Sequence, residues 1–208
     1  MSLLKTIVHV EVEVDEGCPC PNEQISSAIT ELVTSFPLLR DGPVDVHSMQ
    51  GSSADVEQYI RSVTICDIGV EKSVSIWGAE VLVHIFAYSS TEPEKEYLEG
   101  EEDDVHACES WDLPNALLKG LWDSIIVEDH IKHSLLGYCN TSMAFSDAGI
   151  DSNIISWNRM ALLHGPPGTG KTSLCKALAQ KAYIRSSGMR YSSGVLMEIN
   201  AHSLFSKV

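Results

Sequence analysis

The chain has 208 residues, a formal net charge of −15, 44% apolar residues and 21% charged residues. That length accommodates one large domain or two small ones, and the composition is that of a soluble globular protein. So acidic a chain lacks the general basic surface that would grip a nucleic-acid backbone or an anionic membrane, and no apolar run approaches the roughly 18 residues that span a bilayer.

Val8, Val10, Val12 and Val14 alternate with His9, Glu11 and Glu13, the period of a strand with one buried face. A turn is expected over 17–22. Ile25, Ala28, Ile29, Leu32, Val33 and Phe36 then recur at three- and four-residue spacing, which predicts an amphipathic helix stopped by Pro37. Residues 62–68 and 80–88 are rich in Val and Ile and read as further strands. Together these elements predict a small α+β domain with its own core over residues 1–90.

Residues 91–110 read as an acidic linker. Glu92, Glu94, Glu96, Glu99, Glu101, Glu102, Asp103 and Asp104 repel one another with little to bury, so an extended, mobile segment is expected. With no hydrophobic frame to fix a geometry, the run is a poor metal site. A second region, 111–208, opens with Leu117, Leu118, Leu121 and Trp122. A helix is predicted over 128–143, with Ile131, Leu135, Leu136 and Cys139 on one face and Asp129 in its first turn. A polar stretch over 147–153 leads to a continuous apolar run at 160–163, the pattern of a strand buried on both faces of a parallel sheet. The sequence contains no internal repeat.

Directly after that run stands GPPGTGKT: Gly165, Pro166, Pro167, Gly168, Thr169, Gly170, Lys171 and Thr172. It satisfies the P-loop pattern of Gly, four residues, Gly, Lys and then Ser or Thr. Gly165, Gly168 and Gly170 permit backbone angles that a Cβ would forbid, so successive N–H groups can turn toward one anion. The start of the following helix adds partial positive charge, and Ser173 continues that first turn. Lys171 would set a full charge near the β- and γ-phosphates of ATP, and Thr172 would offer its hydroxyl to Mg²⁺. From Gly165 onward Lys171, Lys176, Lys181, Arg185, Arg190 and Lys207 face a single acid, Glu198. The basic part of the chain therefore surrounds the phosphate site.

Other signals carry less. No secretory signal leads the chain, so Cys18, Cys20, Cys66, Cys108, Cys139 and Cys175 are expected to be reduced thiols. Cys18-Pro19-Cys20 has no second pair at metal-ligand spacing and reads as a turn with two thiols. His130 and His133 lie one helical turn apart, but without a third ligand they read as surface histidines. Trp122 is a core residue or a platform for a base. His202 and Ser203 are adjacent, and neighbours in sequence rarely face each other.

GPPGTGKT, with its two prolines, resembles the AAA+ ATPases. The segments LPNALLKGLWDSIIVEDHIKHSLLGY, FSDAGIDSNIISWNRMALLHGPPGTGKTSLCKALAQK and LMEINAHSLFSK resemble the pachytene checkpoint protein 2 family, called thyroid receptor-interacting protein in animals. The resemblance is specific over about 79–207 and loose before that. It implies an α/β fold: a small N-terminal α+β domain, then the first part of a P-loop three-layer αβα domain with an incomplete parallel sheet. It implies a hexameric remodeller that uses ATP and Mg²⁺ to partly unfold HORMA-domain proteins with an adaptor. Such an enzyme acts in meiotic recombination, chromosome-axis and spindle-checkpoint control, in the nucleus, on chromosomes and in the cytoplasm. Its N-terminal domain would help engage substrate and adaptor, and Ser124, Ile125 and Ile126 would lie near the adenine.

The sequence also departs from the family. After Thr172 the one acid is Glu198, in VLMEIN, which reads as the next sheet strand and not as the Asp-Glu strand of an ATPase. The family's pore loop, sensors and helical lid would follow Val208, and two strands would stand between 160–164 and 195–199. The resemblance thus implies a fragment that binds ATP without the hydrolysis machinery. Two alternatives are a non-catalytic module that binds HORMA or adaptor proteins through residues 1–90, and an unrelated P-loop signalling protein.

Overall fold

The computed structural model describes residues 5–48, 54–68, 72–97, 106–150, 158–186 and 191–200. It divides into two compact units, Met1–Ser89 with Ser186–Ser192 and Ser90–Arg185 with Ser193–Val208.

In the first unit the elements are, in chain order, β1 (Thr6–Val14), α1 (Asn22–Thr34), β2 (Leu38–Leu39), β3 (Gly42–Val44), α2 (Ala54–Glu57), β4 (Ile60–Cys66), β5 (Val74–Ser75) and β6 (Ala79–Phe86). The main sheet has the order β3-β4-β1-β6. β1 runs antiparallel to β4, with Val10 opposite Ile65 and Val12 opposite Val63, and parallel to β6, with Val10 opposite Val83. The alternation read from β1 is the cause. Val8, Val10 and Val12 are fully buried, and Ile25, Ile29 and Val33 of α1 belong to the same core. Leu39, Val56 and Val63 complete its interior. The helix ends where expected. The amide of Ser35 still donates to Glu31 and Leu32, and Pro37, with no N–H and a fixed φ, cannot continue the ladder. On the polar side of the alternation the Ser62 hydroxyl donates to Glu13 at 2.9 Å, and the rings of His9 and His84 stack with centroids 5.1 Å apart. The Cys18 and Cys20 thiols pack against the core from the turn before α1.

The second unit contains β7 (Glu94–Tyr97), β8 (His106–Leu113), α3 (Leu121–Ser124), α4 (Asp129–Asp147), α5 (Lys171–Ser186) and β9 (Gly194–Ile199). Its sheet has the order β7-β8-β9 and both pairings are antiparallel. The α/β class expected from the sequence holds, and the helix predicted over 128–143 is α4, four residues longer at its C-terminal end. The side chain of Asp129 lies outside the described residues.

Three sequence expectations are corrected here. The acidic segment is not simply an extended linker: Glu94 and Glu96 lie on a strand paired with Ser110 and Cys108 of β8. All four β7 residues are exposed, so the strand forms through backbone hydrogen bonds without burying its charges. Lys95 also offsets Glu109 at 3.6 Å. Positions 99, 101, 102, 103 and 104 lie outside the described residues. Second, residues 160–163 form no strand. Met160 is 77% exposed and Leu162 87% exposed. A doubly buried strand needs a partner on each edge, and among the described residues none pairs with this segment. Third, the strand read at 195–199 is present as β9, but its neighbour is β8 and the pairing is antiparallel, with Trp111 opposite Leu196. The expected parallel sheet is therefore not formed among the described residues of this unit.

Gly194, at the start of β9, is set by packing. A Cβ there would overlap the Tyr183 ring, so the helix can seat an aromatic against the bare strand backbone.

Candidate nucleotide-binding site

Residues 165–170 connect the irregular segment 158–164 to α5. Gly168 and Gly170 both have φ +78°, a left-handed conformation in which most side chains are strained. The loop closes on itself. Thr169 Oγ1 donates to the Pro166 carbonyl at 2.9 Å. The Lys171 ammonium donates to the carbonyls of Gly165 at 3.0 Å and Pro166 at 2.7 Å. The helical ladder begins at once, with the Leu174 amide donating to Gly170 at 2.8 Å.

Electrostatics follow from this placement. α5 has 16 residues and no acid in its first turn, so no carboxylate of that turn opposes an anion at its N-terminus. Gly165, Pro166, Pro167, Gly168, Thr169 and Thr172 are exposed, while Gly170, Lys171 and Ser173 are half-buried. Lys171 is thus fixed over the loop by weak neutral acceptors that phosphate oxygens can replace. Thr172 stands exposed beside it. Among the described residues no three His, Cys, Asp or Glu side chains converge as a metal site. The Thr172 hydroxyl is of the kind that would join nucleotide oxygens and water around a Mg²⁺, the usual arrangement for that ion. The residues present fit a nucleoside triphosphate with its metal.

α5 is anchored on its far side. Leu174 and Ala177 are buried. Lys176 pairs with Glu198 of β9 at 2.6 Å and lies 4.4 Å from the centre of the Trp111 ring. Gln180 Oε1 accepts from the Asn115 amide at 2.9 Å. Sequence reading missed Trp111, Asn115 and Gln180 as supports. Asn115 was findable, because an Asn just before an apolar pair is a cap signal, and its side chain does accept from the Leu117 amide at 3.0 Å.

Ser124, Ile125 and Ile126 sit at the end of α3. Ser124 Oγ donates back to Leu121, Ile125 is extended, and Ile126 is 96% exposed. Among the described residues no hydrogen bond joins these three to the loop. Trp122 is half-buried, with the Lys132 ammonium 5.3 Å from its ring centre. His130 pairs with Glu128 at 3.1 Å, and His133 is exposed. The six cysteines are free thiols. His202 and Ser203 lie outside the described residues.

Comparison with known proteins agrees with both halves of this reading. Residues 3–91 match the TRIP13 N-terminal domain, and residues 161–208 match the ATPase family associated with various cellular activities (AAA). The family likeness thus extends to the residues before 79, where the sequence resemblance is loose. The pachytene checkpoint protein 2 homolog of Xenopus tropicalis is 44% identical over 204 residues, covering 96% of this chain and 46% of that protein. The homologs of Gallus gallus and Homo sapiens are 41% and 40% identical over the same length and shares. The solved structure of C. elegans PCH-2 has the same fold, with a TM-score of 0.67 at 24% identity, over 96% of this chain and 51% of that one. The chain spans about half the length of the curated relatives it matches. It belongs to the pachytene checkpoint protein 2 family of AAA ATPases.

Proposed function

We propose that this chain binds ATP with Mg²⁺ through residues 165–173 and belongs to a hexameric machine that uses the nucleotide to remodel HORMA-domain proteins. The carrying observation is the closed glycine-rich loop with Lys171 held over it at the acid-free start of α5. Backbone amides of the loop would take phosphate oxygens, Lys171 would neutralise them, and Thr172 would hold the metal. Ile126, with Ser124 and Ile125, would supply an apolar wall for the adenine, since its side chain stands almost fully exposed. Family membership supports a place in meiotic recombination and checkpoint control, at chromosomes in the nucleus and in the cytoplasm. The test is calorimetric titration of the 208-residue chain with Mg-ATP. Lys171→Ala should abolish the binding heat, and equal affinity for the variant would exclude the loop as the site.

A second reading is favoured by the closed core of the first unit. Val8, Val10, Val12, Ile25, Ile29 and Val33 form it without help from the P-loop region. On this reading residues 1–90 bind a HORMA or adaptor protein as a module that needs no nucleotide. A pull-down that succeeds equally with wild type and Lys171→Ala would support the module. Dependence on Mg-ATP would support the machine.

A further inference from the structure

Asn115 is fully buried, and its hydrogen-bonding groups tie together three separate segments. Its side-chain Nδ2 donates to the Thr91 carbonyl at 2.9 Å. Its Oδ1 accepts from the Leu117 amide at 3.0 Å, and its own amide donates to Gln180 Oε1 at 2.9 Å. Gln180 is only 5% exposed and lies on α5, the helix whose first turn carries Lys171 and Thr172. Thr91 lies two residues beyond Ser89, where the first segment of the first unit ends.

The chemistry of the link is specific. Asn is a short side chain with a donor and an acceptor side by side; Asp lacks the donor and Leu lacks both. Gln180 must present its oxygen, because the group it meets is a backbone N–H. Buried groups of this kind have no water to fall back on, so displacing one partner leaves another unsatisfied. A shift of α5 therefore either carries Asn115 and the 91 carbonyl with it or breaks the set.

We propose that Asn115 is a positioning residue that couples the nucleotide-binding helix to the segment by which the chain leaves its N-terminal unit. The proposal rests on nucleotide binding at residues 165–173. Loading of the loop fixes α5, Gln180 transmits that to the 115–117 turn through the Asn115 backbone N–H, and the Asn115 side-chain Nδ2 holds the chain at the Thr91 carbonyl. By linkage, restraint at Thr91 alters nucleotide affinity by the same factor.

The test is hydrogen exchange of the 208-residue chain with and without Mg-ATP, in wild type, Gln180→Met and Asn115→Ala. In wild type the nucleotide should slow exchange in 165–173, and also in 115–118 and 88–93 by about fivefold, an ordinary size for coupling between sites. Gln180→Met keeps the volume and removes the acceptor. It should retain the response in 165–173 and lose it in the two remote segments. Should Asn115→Ala fail to fold, Gln180→Met alone decides. Protection of the loop with no change at 88–93 in wild type overturns the coupling, as does an undiminished remote response in Gln180→Met. Absence of any response in 165–173 overturns the nucleotide site itself.

Discussion

Lys176 Nζ lies 2.6 Å from Glu198 Oε2 and so joins the P-loop helix to β9. The ammonium also faces the buried Trp111 ring at 4.4 Å, and Trp111 Nε1 has no hydrogen-bond partner among the described residues. Glu198 is thus committed to a structural pair. Removing its charge by Glu198→Gln should cost about 1 kcal/mol of stability, the scale of a partly exposed ion pair. Lys176→Ala loses the cation–π contact as well and should cost about 2 kcal/mol. Urea denaturation reads both, and 1 M salt should narrow the Glu198→Gln difference. Mg-ATP affinity should stay within twofold or so for Glu198→Gln. A large loss of affinity would mean that the carboxylate serves the nucleotide instead.

Two glycines separate backbone strain from steric conflict. At Gly170 a Cβ would meet nothing within 4 Å, but φ is +78°. Gly170→Ala should therefore weaken Mg-ATP binding by about fivefold through a strained loop, at roughly 1 kcal/mol of conformational cost. Gly170→Asn, more at ease in the left-handed region, should recover part of that. At Gly194 the conflict is with the Tyr183 ring. Gly194→Ala should lower stability by about 1–3 kcal/mol, as overpacking does, with nucleotide affinity spared. Thermal melts beside calorimetry distinguish the two patterns.

What was legible in the sequence was local. The valines of β1 and the apolar stripe of α1 declare their period within a few residues, and GPPGTGKT carries its own glycines. What was not legible depends on partners remote in sequence. Met160 and Leu162 read as a buried strand because periodicity reports apolarity and not whether neighbours exist. Glu94 and Glu96 read as a linker because charge density hides a strand that uses only its backbone. The Asn115–Gln180 bond joins positions that no spacing rule connects, and only packing shows it.

His47 offers a pH reading of the first unit. Its imidazole lies 2.8 Å from Glu57, and the pKa is raised first by that hydrogen bond, then by the charges of Asp45 and Glu57. The protonated ring is the favoured form, so the contribution of the pair is full below the ordinary histidine value and fades as pH rises through the elevated one. The His47 ring proton signals should titrate above the ordinary histidine range. Glu57→Gln should move that midpoint down, with Asp45 sustaining a smaller elevation. An unchanged midpoint in the variant would assign the shift to Asp45 instead.

Ile29 tests whether partner binding resides in the first unit. The residue is fully buried, in a core that also holds Val10, Val12 and Val33. Ile29→Ala deletes three carbons there and should cost about 3 kcal/mol, the transfer loss plus the cavity left behind. Glu31 lies exposed on the same helix. Glu31→Ala should change stability by less than about 0.5 kcal/mol and serves as the control. Since the P-loop belongs to the other unit, Ile29→Ala should leave Mg-ATP affinity close to wild type at low temperature while capture of a HORMA or adaptor protein falls with the folded fraction. Capture that persists after the first unit has melted, judged by circular dichroism on the same sample, would place the binding surface beyond residue 90.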